Sequence, residues 1–460
     1  MKWILLILIL TTAPIVGVWL RSNPRKAPLV WGLLGFLPFV TGPWHLLVAP
    51  YSTAMWPGYV KGWEVSFLDT IAVGILYATH GRRQKMTLVV PFLAYIFAVT
   101  IAIYQAQFSK LAFSYVFQLI RMFILFLAVS RVVVSERGAK AVCTGLVAGL
   151  AVQAVYALIA RAGGALQTGG SFGHQNLLGF VSHMVIMPAF ALFLAGRWQK
   201  IAIPGLVTGI IVVILTASRA TIAFSGAGLA LTWLLSMVIN FTGRKAALGA
   251  LGLVVLAASF PIAKGSLDRR FHQQQATFFT EDMEREAFSK AAHAMLNDYP
   301  WGVGPNHYVL IANTQGYSAR AGVAWRSASR GTNVHNSYLL AAVETGYFGL
   351  FTLLGLLAAA IWYAFTTAFR FRREPGSELL IGVGCGIIAM SIHGLYEWML
   401  VVYPTQYIFF ISLGLIGGLR ARFFRTARQR AAERPSRRAN ASNARMGSSS
   451  ARPELGGIAG

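Results

Sequence analysis

The chain has 460 residues, of which 56% are hydrophobic and only 12% are charged. Soluble domains carry about 25% charged residues, so this composition excludes an ordinary soluble protein and indicates a polytopic membrane protein. The net charge of +25 could indicate nucleic-acid binding, but many basic residues lie in short gaps between apolar segments, which argues against it. Cys143 and Cys385 both fall in apolar segments, so neither a disulfide framework nor a thiol-based metal site is predicted.

Apolar segments follow one another along most of the chain. Most approach the length of about 20 residues that a helix needs to cross a bilayer. They are residues 2–20, 28–48, 65–79, 86–104, 111–134, 140–160, 176–196, 200–217, 220–241, 246–263, 337–366, 378–396 and 399–419. We therefore predict an all-α polytopic membrane protein with 12–13 transmembrane helices, in which residues 2–20 are either the first span or a signal-anchor.

The charge of the gaps between these segments predicts the topology. Arg and Lys are concentrated in alternate gaps such as 82–85 and 131–140, and residues 420–460 contain ten arginines. Because cytoplasmic loops collect Lys and Arg, we predict that this C-terminal tail is cytoplasmic and that the long gap 264–336 faces outward. The tail is poor in large apolar residues, so we predict that it is disordered and contacts anionic lipid.

The gap 264–336 is long enough to have structure of its own. Within it, DMEREAFSKAAHAMLN (282–297) places Phe288, Ala291 and Met295 at helical spacing. The residues that follow, DYPWGVGPNHY, supply proline and glycine turns. We predict one large, partly helical outer loop that covers an outward-facing site.

A polar stretch ends at His335 and Asn336, where a long apolar segment begins. At this edge His335 could stay hydrated and accept a proton from a hydroxyl nucleophile, or it could be an interface histidine held by local hydrogen bonds. Glu344 lies inside the apolar segment, where a carboxylate normally faces the bundle interior and has a partner. It could orient His335, contact a substrate hydroxyl, or only lock two helices together.

Two other polar patches open helices on the same predicted side. Ser218 and Arg219 separate two apolar segments, and both a guanidinium and the free N–H groups of a helix start favour phosphate oxygens. An arginine here could equally reach lipid head groups. His174, Gln175 and Asn176 could hydrogen-bond sugar hydroxyls or cap the helix that follows them.

Two ionisable residues lie within other apolar segments. Arg121 is near the middle of its segment, and Asp69 is one turn into another. A charge inside the membrane is a functional candidate and can also be part of a structural ion pair, so the pattern leaves both roles open. The sequence has no HExxH, paired CxxC, Walker or GxSxG motif, so we predict neither a metal nor a cofactor.

Four stretches together resemble the O-antigen ligase and polymerase superfamily of bacterial inner-membrane proteins. SFGHQNLLGF (171–180) looks like the Gly/Asn patch of that family, and LTASRAT (215–221) looks like its Ser-Arg turn. EREAFSKAAHAMLNDYPWGVGPNHY (284–308) resembles its outer-loop block. HNSYLLAAVETGYFGL (335–350) resembles its His-Asn-x-x-Leu…Glu-x-Gly signature. The similarity spans about residues 170–365, and the N-terminal helices match only in hydropathy.

The resemblance implies an organisation of the chain into four parts. These are N-terminal transmembrane helices (1–170), an O-antigen ligase-like core (171–366) that includes the periplasmic loop 264–336, C-terminal transmembrane helices (367–419) and a basic disordered tail (420–460). It also implies a multi-pass protein of the bacterial inner membrane whose active site faces the periplasm.

The resemblance implies a glycosyltransferase that needs no metal and no cofactor. Such proteins move a glycan from an undecaprenyl-diphosphate carrier to a periplasmic acceptor, such as the lipid A core of lipopolysaccharide, another surface glycan or a protein. The site positions of the family correspond here to Arg219, Arg285 and His335. The two arginines would hold the diphosphate, and His335 would activate or position the acceptor hydroxyl.

Further residues of the same stretches are candidate substrate-binding residues. These are Asn336, Glu344, His174, Asn176 and Ser218. His174 stands where the family often has a small or amide residue, which leaves the identity of the donor sugar open.

Three functions remain open from the sequence. The first is a ligase that transfers a finished glycan to an end acceptor. The second is a polymerase that extends O-antigen or exopolysaccharide chains on the carrier by the same chemistry. The third is a lipid or polysaccharide transporter, which the many helices and the intramembrane charges would suit, although no paired broken helices in two similar halves are evident.

Overall fold

The computed structural model describes residues 2–81, 86–252 and 283–449, with side chains up to residue 433. The helices up to the long loop are α1 (Lys2–Ser22), α2 (Ala27–Phe36), α3 (Phe67–Ala78), α4 (Val89–Ala102), α5 (Ser109–Val133), α6 (Glu136–Ala162), α7 (Gln175–Leu194), α8 (Gln199–Thr216) and α9 (Arg219–Ile239). Residues 243–252 are also helical. Strands β1 (Leu47–Val48) and β2 (Val65–Ser66) form a short antiparallel pair.

The remaining helices lie in the loop and after it. They are α10 (283–298), α11 (Tyr308–Thr314), α12 (Tyr317–Arg320), α13 (Ser327–Arg330), α14 (Ser337–Arg370), α15 (Ser377–His393) and α16 (Tyr403–Ser449). In the described part of the chain, short 3-10 turns occur at Leu37–Phe39, Ile103–Gln105, Gly170–Phe172 and Met399–Val401. The part of the predicted outer loop that is described, 283–336, is therefore partly helical.

Within the described residues, eight helices are long and apolar enough to cross a membrane. They are α1, α5, α6, α7, α8, α9, α14 and the Tyr403–Glu433 part of α16. Four shorter apolar helices begin at Ala27, Phe67, Val89 and Ser377. These elements follow the predicted segments in order, and only the predicted segment 246–263 lies mostly outside the described residues. An all-α polytopic membrane fold is thus confirmed.

The described part of the predicted C-terminal tail, residues 420–449, is helical, and residues 450–460 lie outside the described residues. Helix α16 does not end near residue 419 but continues to Ser449. Composition predicted disorder because the tail cannot bury a core, but alanine and arginine are also strong helix formers. A helix already nucleated by the packed turns after Tyr403 extends easily into such a sequence, because each added residue only propagates it.

Helix α14 is interrupted close to the outer loop, at Gly346. This glycine has φ 66° and ψ −178°, which removes two carbonyls of the preceding turn from the helical hydrogen-bond pattern. The backbone of the outer loop takes their place: the N–H of Val303 donates to Val343 O, and the N–H of Gly304 donates to Glu344 O, both at 2.9 Å. The turn formed by residues 300–304, the PWGVG turn, is therefore fixed against the first part of α14.

The intramembrane pair Arg121 and Asp69 has a structural role. The Nε of Arg121 donates to Asp69 Oδ2 at 2.8 Å, and its guanidinium also donates to the hydroxyl of Tyr407. Asp69 in turn accepts from Ser66, which caps α3. The buried charge is therefore compensated, and the network joins α3, α5 and α16.

Candidate functional site

The candidate site is centred on Glu397, a carboxylate in the short connection between α15 and α16. Glu397 is only 1% exposed. Its Oε2 lies 3.2 Å from His335 Nδ1, and its Oε1 lies 3.3 Å from a guanidinium nitrogen of Arg285. The side-chain amide of Asn176 also donates to Oε1. We call these four residues, together with the adjacent His174, the Glu397 cluster.

The start of α14 brings His335 to this carboxylate. Asn336 caps the helix, because its Oδ1 accepts from the backbone N–H groups of Tyr338 and Leu339 at 2.9 and 3.0 Å. The next residue, Ser337, donates its hydroxyl to the backbone carbonyl of Glu397 at 2.6 Å. His335 directly precedes Asn336, so the cap and this bond together hold it against the connection that carries Glu397.

Helix α10 of the outer loop brings Arg285 to the cluster from the other side. The ring of Phe288, one turn later, lies 5.7 Å from the ring of His335. The carbonyl of Phe288 accepts from the hydroxyl of Tyr308 at 3.3 Å, which ties α10 to α11. The side chain of Arg285 remains 42% exposed, so it can bind Glu397 and still reach an anionic ligand.

The start of α7 supplies the third side of the cluster. His174 is the N-cap of α7, and its Nδ1 accepts from the backbone N–H of Asn176 at 3.2 Å. Burial lowers the pKa of His174, and His335 adds to this effect, while the charge of Glu397 opposes it. His174 thus takes the capping role that the sequence left open, and Asn176 directs its side chain to Glu397.

Arg219 lies at the same end of the bundle. It is exposed and is the first residue of α9, directly after the cap Ser218, whose Oγ accepts from the N–H of Thr221 at 3.3 Å. In the second turn of α9, the ring of Phe224 lies 5.7 Å from that of Tyr396, the neighbour of Glu397. The first turn of α9 therefore stands beside the connection that carries the cluster.

The electrostatics of the cluster favour an ionised Glu397. Burial raises the pKa of this carboxyl, but the hydrogen bond and charge of His335, with Arg285 and His174, outweigh burial and lower the pKa overall. Because a carboxylate only accepts, the Nδ1–H of His335 is the donor in their contact. In the neutral form of the imidazole, Nε2 then keeps its lone pair, and the His335 side chain is 22% exposed. The arrangement is that of a base oriented by a carboxylate.

Glu344 does not take part in this cluster, contrary to two of the roles considered for it. Its Oε2 accepts from the hydroxyl of Tyr59 at 2.5 Å, and its Oε1 accepts from the backbone N–H of Tyr308 at 3.0 Å. Both of its carboxylate oxygens are therefore hydrogen-bonded within the protein, and 2% of its surface is exposed. Glu344 joins α14 to α11 and to the loop between β1 and β2, so the third role, that of a lock, fits its contacts.

Two other predicted substrate-binding residues are used as helix caps. The side chains of Ser218 and Asn336 accept backbone N–H groups of α9 and α14, respectively. These bonds satisfy donors that every helix start leaves free. The polar patches were correctly placed at helix starts, and part of their polarity is explained by capping.

Glu397 is not among the predicted site residues. It lies in HGLYEWML, in the gap between two predicted segments. A signal was available, because Glu397 is a single carboxylate in a two-residue gap at the predicted outer side. A charge in so short a connection is held close to the helix ends and needs a partner. The local sequence pattern does not identify that partner.

Comparison with protein families supports the resemblance. Residues 204–354 match the family model described as O-antigen ligase. The matched range contains Arg219, Arg285 and His335, whereas Asn176 and Glu397 lie outside it. No curated protein matches the chain.

The fold is that of a multi-pass membrane protein, and residues 204–354 of it are similar to the O-antigen ligase family. The matched range covers about a third of the chain and shows that this part is similar to the O-antigen ligase family, whose members are in general glycosyl-transferring enzymes.

Proposed function

We propose that the protein is a ligase that transfers a glycan from an undecaprenyl-diphosphate carrier to a hydroxyl of a periplasmic acceptor, which is lipid A core, another surface glycan or a protein. The observation that supports this most is the Glu397 cluster, in which one buried carboxylate holds a histidine and an arginine from two of the four motifs. The proposal includes the bacterial inner membrane as location and the periplasm as the side of the site.

In the proposed reaction His335 is the general base. Its Nε2 accepts the proton of the acceptor hydroxyl while the hydroxyl oxygen forms a bond to the anomeric carbon of the glycan. The bond between that carbon and the phosphate oxygen breaks with inversion, and the carrier diphosphate leaves with the electron pair. Glu397 stabilises the imidazolium that forms, because its carboxylate accepts from Nδ1–H.

The arginines neutralise the leaving group. A diphosphate is already a good leaving group, so catalysis chiefly requires alignment and compensation of the charge that develops on it. Arg285 contacts Glu397 and remains partly exposed. Arg219 is exposed at the start of α9, where backbone N–H groups also favour an anion. A guanidinium stays charged at any working pH, so this function does not require a metal.

A polymerase of the same superfamily would use the same groups in the same way. The two functions differ in the acceptor, and the glycans that accumulate in a deletion strain distinguish them. The proposed ligase predicts finished glycan that stays on the carrier, whereas single repeat units on the carrier would indicate the polymerase. Blocked substrate movement with intact transfer in a His335→Ala strain would instead indicate a transporter.

The proposed function is tested by glycan transfer in membranes that contain wild type, Arg219→Ala or His335→Ala at matched levels. The donor is a lipid-diphosphate-linked glycan, and a chelator is present in one arm. We expect both variants to lose transfer and the chelator to have no effect. Arg320→Ala and His293→Ala change exposed residues of the same loop and serve as matched controls that keep transfer. Full activity of both site variants would refute the proposal.

A further inference from the structure

A second group of polar side chains lies directly beside the Glu397 cluster, between α7, α9 and α15. His183 Nδ1 is 3.2 Å from the hydroxyl of Ser225, and His183 Nε2 is 3.1 Å from His393 Nδ1. Both histidines are 0% exposed, and Ser225 is 2% exposed. The three residues therefore form a buried hydrogen-bonded chain that ends at His393.

At its His393 end, this hydrogen-bonded chain stops at a nitrogen that has no partner among the described residues. His393 Nε2 is buried and has no hydrogen-bond partner within the part of the chain that the structure describes. The histidine ring is held between two aromatic rings, with centroids 5.1 Å from Phe180 and 5.4 Å from Phe224. Buried polar atoms are usually paired, because an unpaired one costs its desolvation, so this nitrogen is available to a partner that is not part of the fold.

The unpaired nitrogen belongs to the same end of the bundle as the site. His393 is the last residue of α15 and precedes Glu397 by one turn. It lies within electrostatic range of both Glu397 and Arg285. The next residue, Gly394, accepts from the N–H of Ser337 at 2.8 Å, which fixes this turn against the start of α14.

The order of donors and acceptors in the hydrogen bonds from Ser225 through His183 makes His393 Nε2 a donor. If the Ser225 hydroxyl donates to His183 Nδ1, then His183 Nε2–H donates to His393 Nδ1 and the proton of His393 is on Nε2. The negative potential of Glu397 favours this direction, because it favours an N–H over a lone pair. If His393 gains a second proton, the direction reverses and each bond in the chain is kept, so the chain accommodates a charged ring as well.

We propose that His393 is a further donor-binding residue, whose Nε2–H donates to a phosphate oxygen of the lipid-linked diphosphate, and that His183 and Ser225 are positioning residues that hold its ring. This inference rests on the proposed function. It adds a third contact, from the membrane side, to those of Arg285 and Arg219. A phosphate oxygen is a fitting partner because an N–H group can only donate, and a hydrogen bond to a charged oxygen is stronger than one to a neutral oxygen.

The test is the affinity of the purified full-length protein for undecaprenyl diphosphate without a sugar, followed by tryptophan fluorescence. A lost hydrogen bond to a charged group weakens binding about 10- to 100-fold, which we expect for His393→Leu. His393→Gln keeps an N–H at the position of Nε2, so it is expected to bind within about threefold of wild type. His183→Phe keeps His393 but not its orientation and should lie between the two. His293→Ala, on the exposed face of α10, is the matched control.

The possible outcomes separate this inference from the function on which it rests. If wild type does not bind the carrier diphosphate, the proposed function fails. If wild type binds and Arg285→Ala weakens binding while His393→Leu does not, the function stands and His393 Nε2 has only a structural or water contact. Equal weakening by His393→Gln and His393→Leu would also overturn the inference, because it would mean that ring packing and not the N–H matters. Melting curves confirm that each variant is folded.

Discussion

Glu397 and Glu344 are two buried carboxylates at the same end of the molecule, with 1% and 2% of their surfaces exposed. Their partners differ in kind. Glu397 binds three side chains, two of which are partly exposed and can carry charge. Glu344 binds a phenol and a backbone N–H that begins a short helix. Burial alone therefore does not separate a reactive carboxylate from a structural one, whereas the exposure and chemistry of the partners do.

The difference extends to the surrounding backbone. Around Glu397, a short connection meets the starts of three helices. The start of α7 contributes two side chains to the cluster, and the starts of α10 and α14 contribute one each. Around Glu344, the contacts are between backbone groups. The carbonyls left free by the break at Gly346 accept from N–H groups of the PWGVG turn. In the proposed function, the first region presents side chains to a ligand, and the second holds the outer loop that carries Arg285 on α10.

Among the point mutations considered in this comparison, Arg285→Ala is expected to lower the rate of glycan transfer the most. If Arg285 stabilises the leaving diphosphate as a typical electrostatic donor does, its loss raises the barrier by about 2–4 kcal/mol. Transfer should fall accordingly, with little change in melting temperature, because the side chain is partly exposed. Arg285→Lys keeps a charge without the planar fork and should recover part of the rate. Initial rates at matched protein levels measure this, and wild-type rates in Arg285→Ala would remove Arg285 from the site.

Gly346→Ala examines the Glu344 region instead. At φ 66° an alanine is strained, and its Cβ would lie 2.7 Å from the backbone of Trp301. We expect a loss of stability of about 1–3 kcal/mol, the range for backbone strain of this kind. Gly355→Ala is the control, because nothing lies within 4 Å of a Cβ at that glycine of the same helix. Thermal unfolding in detergent distinguishes the two variants, and equal melting temperatures would contradict the docking of the PWGVG turn.

Tyr59→Phe removes one partner of Glu344 without removing the ring. The Glu344 carboxylate loses the hydroxyl donor at 2.5 Å and keeps the backbone donor of Tyr308. We expect a decrease in stability of about 0.5–1.5 kcal/mol, the usual net worth of one hydrogen bond. Transfer per folded molecule should not change. A loss of transfer that exceeds the loss of folded protein would show that Glu344 acts in the reaction.

The smallest predicted effect is a dependence of stability on pH. The pKa of Glu397 is lower in the folded protein than its ordinary value, so its ionised form stabilises the fold. This contribution is fully present above the unfolded-state pKa and is lost as the pH falls through the folded-state pKa. The difference in melting temperature between wild type and Glu397→Gln should therefore shrink on acidification. A difference that grows would mean that the carboxyl is buried in its neutral form.

Much of the architecture and four of the five residues of the Glu397 cluster could be predicted from the sequence. Polar residues that end at a long apolar run predict a helix start, and this placed His335, Asn176 and Arg219 correctly at one end of the bundle. The role of Glu397 could not be predicted, because its partners are 62 to 221 residues away in sequence and meet it only through packing. For Glu344 the pattern could predict a buried carboxylate but not its partners, since Tyr59 lies in a loop with no helical pattern.

The most direct test of the account compares Glu397→Gln with Glu344→Gln, two changes of equal size and charge. Glycan transfer is measured per folded molecule, with the folded fraction taken from the melting curve of each variant. The account predicts a fall of about 100-fold or more for Glu397→Gln, because His335 loses the carboxylate that fixes its tautomer and stabilises its charged form. It predicts near wild-type transfer for Glu344→Gln, with lower stability. Equal transfer by the two variants, or a greater loss in Glu344→Gln, would contradict the assignment of Glu397 as the centre of the site.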